Sequence, residues 1–148
     1  MSQLRTDIIA RIKANTPTAA LLDEFELSAG VTTPAVFPKT KPEGYEWKPE
    51  PGVIVRDPTM IDDTSPFGGR MADALISVAI YGQLPANSND DDKVQQAATS
   101  VFELFRRKSF TGGTGILYQA NASGPIAAPV STPQLTGLIV QLRVNVGD

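Results

Sequence analysis

The sequence predicts an α+β fold with a mostly antiparallel sheet of about four to five strands, two helices packed on one face, and long proline-rich loops. Two segments, residues 74–83 and 137–148, alternate apolar and polar side chains with the period of two that is typical of half-buried strands. Residues 3–14 and 91–107 carry apolar side chains at helical spacing. The last strands follow each other directly along the chain, which favours antiparallel pairing with helices on one side.

The first helix is predicted over residues 3–14. Apolar side chains recur every four positions from Leu4 to Ile12, while Asp7 falls on the polar side with the basic residues of this segment. Pro17 is expected to end the helix, because proline lacks the backbone N–H that another turn needs.

The second helix is predicted over residues 91–107, where apolar positions from Val94 to Phe105 repeat with the helical period. The three aspartates at 90–92 lie where the helix dipole favours negative charge. The basic residues 106–108 are expected to form the C-terminal turn, where positive charge is favoured.

The connecting regions are rich in proline and small residues. Residues 33–66 hold seven prolines, so this region is predicted to be irregular around short strands, the clearest at 52–56. Residues 18–27 suit either a helical turn or a strand. Residues 116–120 are predicted to form a short strand, followed by a loop at 121–134.

The composition excludes several kinds of chemistry. The chain has no histidine and no cysteine, which rules out disulfides, thiolate metal sites, and Ser–His or Cys–His dyads. The net charge is −3 and the longest basic run is 106–108, which argues against tight binding to nucleic acid. No segment has the length of a membrane span or the pattern of a signal peptide. We therefore expect no catalytic residue, no cofactor and no membrane partner, and a cytoplasmic site of synthesis.

Three local motifs have a structural and a functional interpretation. "FTGGTG" at 110–115 lacks the Lys-Ser/Thr of a phosphate-binding loop and is predicted to be a turn. The acidic runs 62–63 and 90–92 offer oxygen ligands for a divalent metal, but helix capping explains the second run without one. Tyr45 and Trp47 either pack beneath the proline-rich loop or lie on a surface for a partner.

The order of these segments resembles the tail-terminator, or tail-completion, proteins of long-tailed bacteriophages, the minor tail protein U type. The resemblance spans nearly the whole chain. Its features are an N-terminal amphipathic helix followed by "AVFP" (35–38), "PGVIVR" (51–56), "ALISVAIYGQ" (74–83), "DDDKVQQAATSVFELFRR" (90–107) and "TGLIVQLRVNVGD" (136–148).

The resemblance implies a structural virion protein built as one domain over residues 1–148. Proteins of this family form a hexameric ring that caps the end of the tail tube, stops tube polymerisation and offers a surface to head-completion or stopper proteins. DNA passes through the lumen as cargo. The implied partners are therefore other copies of the chain, the tail tube protein and a head-completion protein, with no cofactor. The implied location is the tail or neck of the virion, assembled in the cytoplasm of a bacterial host.

Under this hypothesis, two loops are expected to contact neighbouring subunits or the tube. The candidate residues in the 39–51 and 57–70 loops are Lys39, Lys41, Tyr45, Trp47, Asp57, Asp62, Asp63, Phe67 and Arg70. Opposite charges on neighbouring loops suit the head-to-tail contact of a ring, which joins two different patches.

Three alternatives stay open at the level of sequence. A head–tail connector or stopper neck protein would occupy a neighbouring position in the virion. A small cytoplasmic ligand-binding α+β module would need a concave pocket with convergent polar groups. A carboxylate–metal enzyme would use the aspartates at 62–63 or 90–92.

Overall fold

One mostly antiparallel sheet organises the chain, and helices cover one of its faces. The computed structural model describes residues 2–62, 72–85, 90–130 and 134–147. The helices are α1 (Ser2–Ala14), α2 (Thr16–Ala19) and α3 (Asp92–Phe105). The strands are β1 (Glu24–Ser28), β2 (Val31–Pro34), β3 (Val36–Pro38), β4 (Gly52–Val55), β5 (Thr59–Asp62), β6 (Ala72–Gln83), β7 (Lys108–Thr111), β8 (Leu117–Ala127) and β9 (Leu135–Gly147).

The main sheet runs in the order β3-β4-β6-β9-β8-β7, and β5 also pairs with β6. All of its pairings are antiparallel except that of β3 with β4. Strands β1 and β2 form a separate hairpin. The predicted α+β class is confirmed, although the sheet has more strands than the four to five expected, because short pairings at its edges add to the long central ones.

The centre of the sheet is the long pairing of β6 with β9, which runs from Ala72 opposite Val146 to Gln83 opposite Leu135. Strict alternation sends every second side chain to the helical side. The inward side chains of the two strands are buried: Ala74, Ile76, Val78, Ile80, Val140, Leu142 and Val144. Both predicted central strands are therefore confirmed.

Helix α3 packs on β6, β8 and β9 through Val94, Ala97, Ala98, Val101 and Phe105, all of which are buried. These five positions follow the predicted apolar stripe.

The end of α3 differs from the prediction. The helix stops at Phe105, and no basic residue lies in its last turn. Arg106 is extended, Arg107 has a left-handed φ of 51°, and Lys108 begins β7 opposite Ala120. The predicted C-terminal turn at 106–108 is wrong, because pairing of β7 with β8 takes this backbone into the sheet.

Helix α1 lies against β3 and β4, and its apolar stripe from Leu4 to Ile12 joins the same core. Pro17 does not end this helix as expected: it lies in the first turn of α2, where a missing N–H costs nothing. The Asn15 side chain accepts a hydrogen bond from the Thr18 backbone N at 3.2 Å and caps that turn. Of the alternatives for residues 18–27, both occur, since α2 is followed by β1.

Strand β8 is longer than predicted. The segment from Asn121 to Ala127, expected to be part of a loop, pairs with β9. The register shifts between Ser123 and Ile126, and Gly124 there has a φ of +99°. The small residues of this segment have little intrinsic preference for strands, so the adjacent β9 backbone, rather than local propensity, accounts for the extension.

The proline-rich region confirms the expected short strands with irregular connections, as β3, β4 and β5 are three or four residues each. Within the described residues, no helix has both the length and the apolar character needed to cross a membrane.

Candidate functional site

The proline-rich segment is held against the sheet by a row of aromatic rings, here called the aromatic row. It consists of Phe25, Phe37, Tyr45, Trp47 and Tyr81. Successive ring centroids lie 5.3, 5.0, 5.6 and 5.2 Å apart, and the first three contacts are edge-on. Rings at these separations attract each other beyond the area they bury. The segment is therefore anchored at both ends, at the β1–β2 hairpin and at β6.

Tyr45 is buried, and its hydroxyl donates a hydrogen bond to Asp23 Oδ2 at 2.8 Å. The Lys48 ammonium lies 3.4 Å from the same oxygen. Burial raises the pKa of Tyr45 above its ordinary value near 10.0, and the hydrogen bond to Asp23 adds to the shift. Of the two interpretations for Tyr45 and Trp47, packing beneath the loop is the one the structure has: Trp47 is half-buried against Tyr81.

The aromatic row also explains the glycine that begins β4. A Cβ atom added to Gly52 would lie 2.8 Å from Cζ3 of Trp47. Real Cβ atoms avoid this distance, so a side chain at position 52 would displace the indole.

Lys39 and Asp57, two predicted interface residues, meet within one chain. The Lys39 ammonium lies 3.8 Å from Asp57 Oδ2, and the Arg5 guanidinium of α1 also pairs with Asp57. Lys41 donates from its ammonium to the backbone oxygen of Tyr45. Lys39 and Asp57 stay exposed, so the structure presents them as one compact charged cluster beside α1.

The other predicted interface residues lie largely outside the described residues. Asp63, Phe67 and Arg70 fall in the undescribed range 63–71. Asp62 ends β5, where its backbone pairs with Asp73. A role in subunit or tube contacts for the nine candidate residues stays a prediction.

A buried carboxylate that the sequence placed on the polar side of α1 ties this helix to the sheet. Asp7 Oδ2 accepts a hydrogen bond from the Tyr118 hydroxyl at 2.6 Å. Its Oδ1 accepts from Gln3 Nε2 at 2.9 Å and from the Gly113 backbone N at 3.1 Å. A Cβ at Gly112 would overlap the same carboxylate. With both oxygens occupied, Asp7 serves as a structural anchor for the β7–β8 turn.

One sequence motif indicates where the anchor of Asp7 lies. "FTGGTG" indicates a turn where backbone N–H groups are free to donate, and a glycine pair permits close approach by another chain segment. Nothing in the spacing of Asp7 shows that it is the partner, because the contact joins residues 106 positions apart.

The outward ends of β7, β8 and β9 form a shallow groove of about 440 Å³, here called the basic groove. The residues that line it include Arg107, Lys108, Gln119, Asn121 and Arg143. Arg143 pairs with Asp73 of β6, and Nε lies 3.1 Å from Asp73 Oδ2. Among the described residues, Arg107 and Lys108 have no acidic partner.

The aspartates before α3 bond locally. Asp91 is the N-cap, and its carboxylate accepts from Gln95 Nε2 at 2.8 Å, while Asp90 Oδ1 accepts from the Asp92 backbone N at 3.1 Å. In the part of the chain that the structure describes, no three acidic side chains are grouped so as to hold a metal ion. The geometry here is that of a helix N-terminus.

No protein-family model matches the sequence, and no curated protein matches it. Among solved structures, the fold is similar to that of a chain in the virion of a native gene transfer agent (GTA) particle. The TM-score is 0.72 at 14% sequence identity, and the match covers 99% of this chain and 96% of that chain. A second solved chain matches with a TM-score of 0.50 at 13% identity, over 99% of this chain and 92% of that one. The fold of this protein is thus shared, over almost its full length, with a virion component.

Proposed function

We propose that the chain is a structural protein of a phage-like virion and, more specifically, the tail terminator that caps the tail tube as a ring. The observation that carries the proposal is the fold likeness to a virion chain over 99% of this chain and 96% of that one. The match includes nearly all of both chains, which supports a common architecture for the two proteins. The order of elements on which the resemblance to tail terminators rests, from α1 to β9, supports the more specific role.

The charge arrangement suits a protein that works by assembly. Exposed charges are clustered in separate places: Lys39 with Asp57 beside α1, and Arg107 with Lys108 at the far edge of the sheet. A ring needs two different patches on each subunit, because each interface joins the head of one copy to the tail of the next. Such a protein requires no nucleophile or cofactor.

In this proposal the partners are other copies of the chain, the tail tube protein and a head-completion protein, with DNA as passing cargo. The 39–51 and 57–70 loops contact a neighbouring subunit or the tube. Charge reversal at Asp62 and Asp63 tests the second loop: rings that form and bind tubes unchanged would remove it from both contacts.

The proposal is tested by mass photometry of the purified chain over a concentration series, with negative-stain images of the same samples. The expected species is a ring of about six times the 15.8 kDa of one chain, with a central hole. The second step adds preformed tail tubes. The expected result is density at one end of each tube and an arrest of tube growth.

Two outcomes would contradict the tail terminator. Binding to the portal or head in place of the tube would assign the chain to the connector or stopper proteins of the neck. A monomer that binds neither tubes nor heads would contradict a virion role and favour a cytoplasmic ligand-binding module.

A further inference from the structure

The β1–β2 hairpin is an arm attached to the rest of the chain mainly at its base. There, Phe25 packs edge-on to Phe37, and the Ala35 backbone N donates to Asp23 O at 2.7 Å. Towards the turn the hairpin is exposed: Leu27 shows 63% of its surface and Val31 shows 51%. Apolar side chains this exposed at the end of a projecting arm are typical of a contact with another molecule.

The same arm carries unpaired negative charge. Glu24 and Glu26 are exposed, and alternation along β1 places them on one face of the hairpin. Among the described residues, neither carboxylate has a hydrogen bond or an ion pair. The arm therefore presents two free acidic groups on one face, while the exposed Leu27 and Val31 lie on the other face, which they share with Phe25.

The basic groove has the complementary character. Arg107 and Lys108 supply positive charge at the edge strand, and on the outward face of the sheet Leu117 of β8 and Leu75 of β6 are 48% and 41% exposed. Leu75 is directly opposite Arg143 in the register, so an apolar side chain adjoins the charged ones. The hairpin continues into β3 at one edge of the sheet, whereas the groove lies beside β7 at the other edge.

The backbone at Arg107 gives an independent reason to expect a partner for its side chain. Arg107 and Lys39 are the non-glycine residues with positive φ in the described parts of the chain. Glycine adopts this conformation at lower cost, so a contact made by the arginine side chain would offset the strain that it adds. Lys39 has such a contact in Asp57, while the Arg107 guanidinium has no acidic partner in the described residues.

We propose that the β1–β2 hairpin of one copy docks into the basic groove of the next copy, head to tail. The acidic face of the hairpin, with Glu24 and Glu26, meets Arg107 and Lys108. The occupant of the groove is a second copy because the chain itself carries the matching charge, on a projecting arm at the opposite edge of its sheet. This inference rests on the proposed ring and names the contact that closes it.

The test uses two charge-reversed variants, Glu24→Lys/Glu26→Lys and Arg107→Glu/Lys108→Glu. Each alone juxtaposes like charges, so we expect self-association at least about a hundredfold weaker than in the natural sequence. An equimolar mixture restores opposite charges at every contact of an alternating ring. Native mass spectrometry is expected to show rings with equal numbers of the two variants, a result that misfolding or an indirect effect would not produce.

Controls separate charge at this contact from charge in general. Glu103→Lys changes an exposed charge on α3, outside both surfaces, and is expected to leave ring formation unchanged. Arg107→Gly removes the guanidinium while relieving the backbone, so the melting temperature of the monomer is expected to stay the same and association to weaken by about tenfold.

Each contrary outcome has a distinct meaning. Rings that form in both reversed variants would overturn the hairpin–groove contact and leave the ring itself in place. Reversed variants that lose rings with no rescue in the mixture would also overturn it. A natural chain that stays monomeric at every concentration would overturn the hairpin–groove contact as a site of self-association. Binding of that monomer to tube ends would then test the proposed function separately. Groove reversal that abolishes binding of a duplex DNA probe and spares the rings would assign the groove to phosphate.

Discussion

The outward face of the sheet has two halves that differ in what covers them. In one half, Ala79 and Tyr81 of β6 occupy outward positions and yet are buried, in a cluster with Ile54 and Ala128 against which Trp47 packs. In the other half, Leu75 of the same strand and Arg143 of β9 also point outward and remain exposed. The strands alternate regularly through both halves.

The comparison shows that strand pattern and burial are separate properties of this sheet. Alternation decides which side chains point away from the helices, and a segment remote in sequence decides which of those are then covered. Within the described residues, the proline-rich segment packs on the outward face of β6 through Trp47. The uncovered half keeps Leu75 and Arg143 exposed side by side, so an apolar and a charged side chain there are both accessible to another molecule.

Removing the covering indole is expected to have the largest effect on stability. Trp47→Ala leaves Tyr45 and Tyr81 without a shared ring contact, and we expect the free energy of unfolding to fall by about 3 kcal/mol. Leu75→Ala is the matched control on the uncovered half of the same strand, with an expected change within about 0.5 kcal/mol. Urea unfolding of dilute monomer measures both. Similar losses in the two variants would show that the halves do not differ as described.

A smaller effect is expected from crowding the same contact. Gly52→Ala places a methyl group 2.8 Å from the Trp47 ring, and we expect a loss of about 2 kcal/mol. A smaller ring relieves this overlap, so Gly52→Ala is expected to cost less in a Trp47→Phe background. A double-mutant cycle measures the coupling. Additive effects would mean that the indole does not limit position 52.

The smallest effect concerns alkaline pH. Burial raises the pKa of Tyr45, and of Tyr118 in the inner core, above the value near 10.0 of an exposed tyrosine. The folded state thus holds these protons more tightly than the unfolded state. The stabilisation is complete below pH 10 and is lost as pH rises through the raised pKa, by up to about 1.4 kcal/mol per pH unit for each group.

Tyr45→Phe tests this on the covered half. The free energy of unfolding of this variant is expected to fall less steeply above pH 10, because one of the two tyrosines with a raised pKa is gone. Tyr118→Phe is expected to have the same effect through the inner core. Trp47 is the only tryptophan in the chain, so its fluorescence follows the covered half directly during urea unfolding. An unchanged slope in Tyr45→Phe would contradict the raised pKa.

The regular elements followed from residue period alone. The alternation in β6 and β9 and the helical stripe from Val94 to Phe105 predicted elements with one buried face, and each of these elements buries one face. These patterns depend on residues close together in the chain, so they can be recognised without knowing which element each one packs against. The short strands between prolines were predictable for the same reason, because each proline fixes its own φ angle and lacks a backbone N–H.

The secondary-structure predictions were wrong where pairing with a neighbouring strand stabilises the observed conformation. Lys108 begins a strand opposite Ala120, although the run of basic residues at 106–108 predicted the end of a helix. Residues 121–127 pair with β9 despite their glycine, alanine and proline content. Local propensity is weak in both places, and backbone hydrogen bonds from an adjacent strand outweigh it.

The candidate surface was predictable in part. The sequence pointed to Tyr45 and Trp47 as a pair that either packs or recruits a partner, and only the fold placed Phe25, Phe37 and Tyr81 around them. The hairpin arm and the basic groove have no signature in the sequence, because each combines exposed residues that the chain brings together across strands.

The amino-acid order alone specified the α+β class, the two long central strands, the two main helices and the absence of histidine and cysteine chemistry, all of which depend on residue type and period. Tertiary structure decided the coverage of the outward face, the burial of Asp7 against Tyr118, and the separation of acidic arm and basic groove to opposite edges of the sheet. Those features are contacts between distant segments, and their free energy exists only once the chain has brought both sides together.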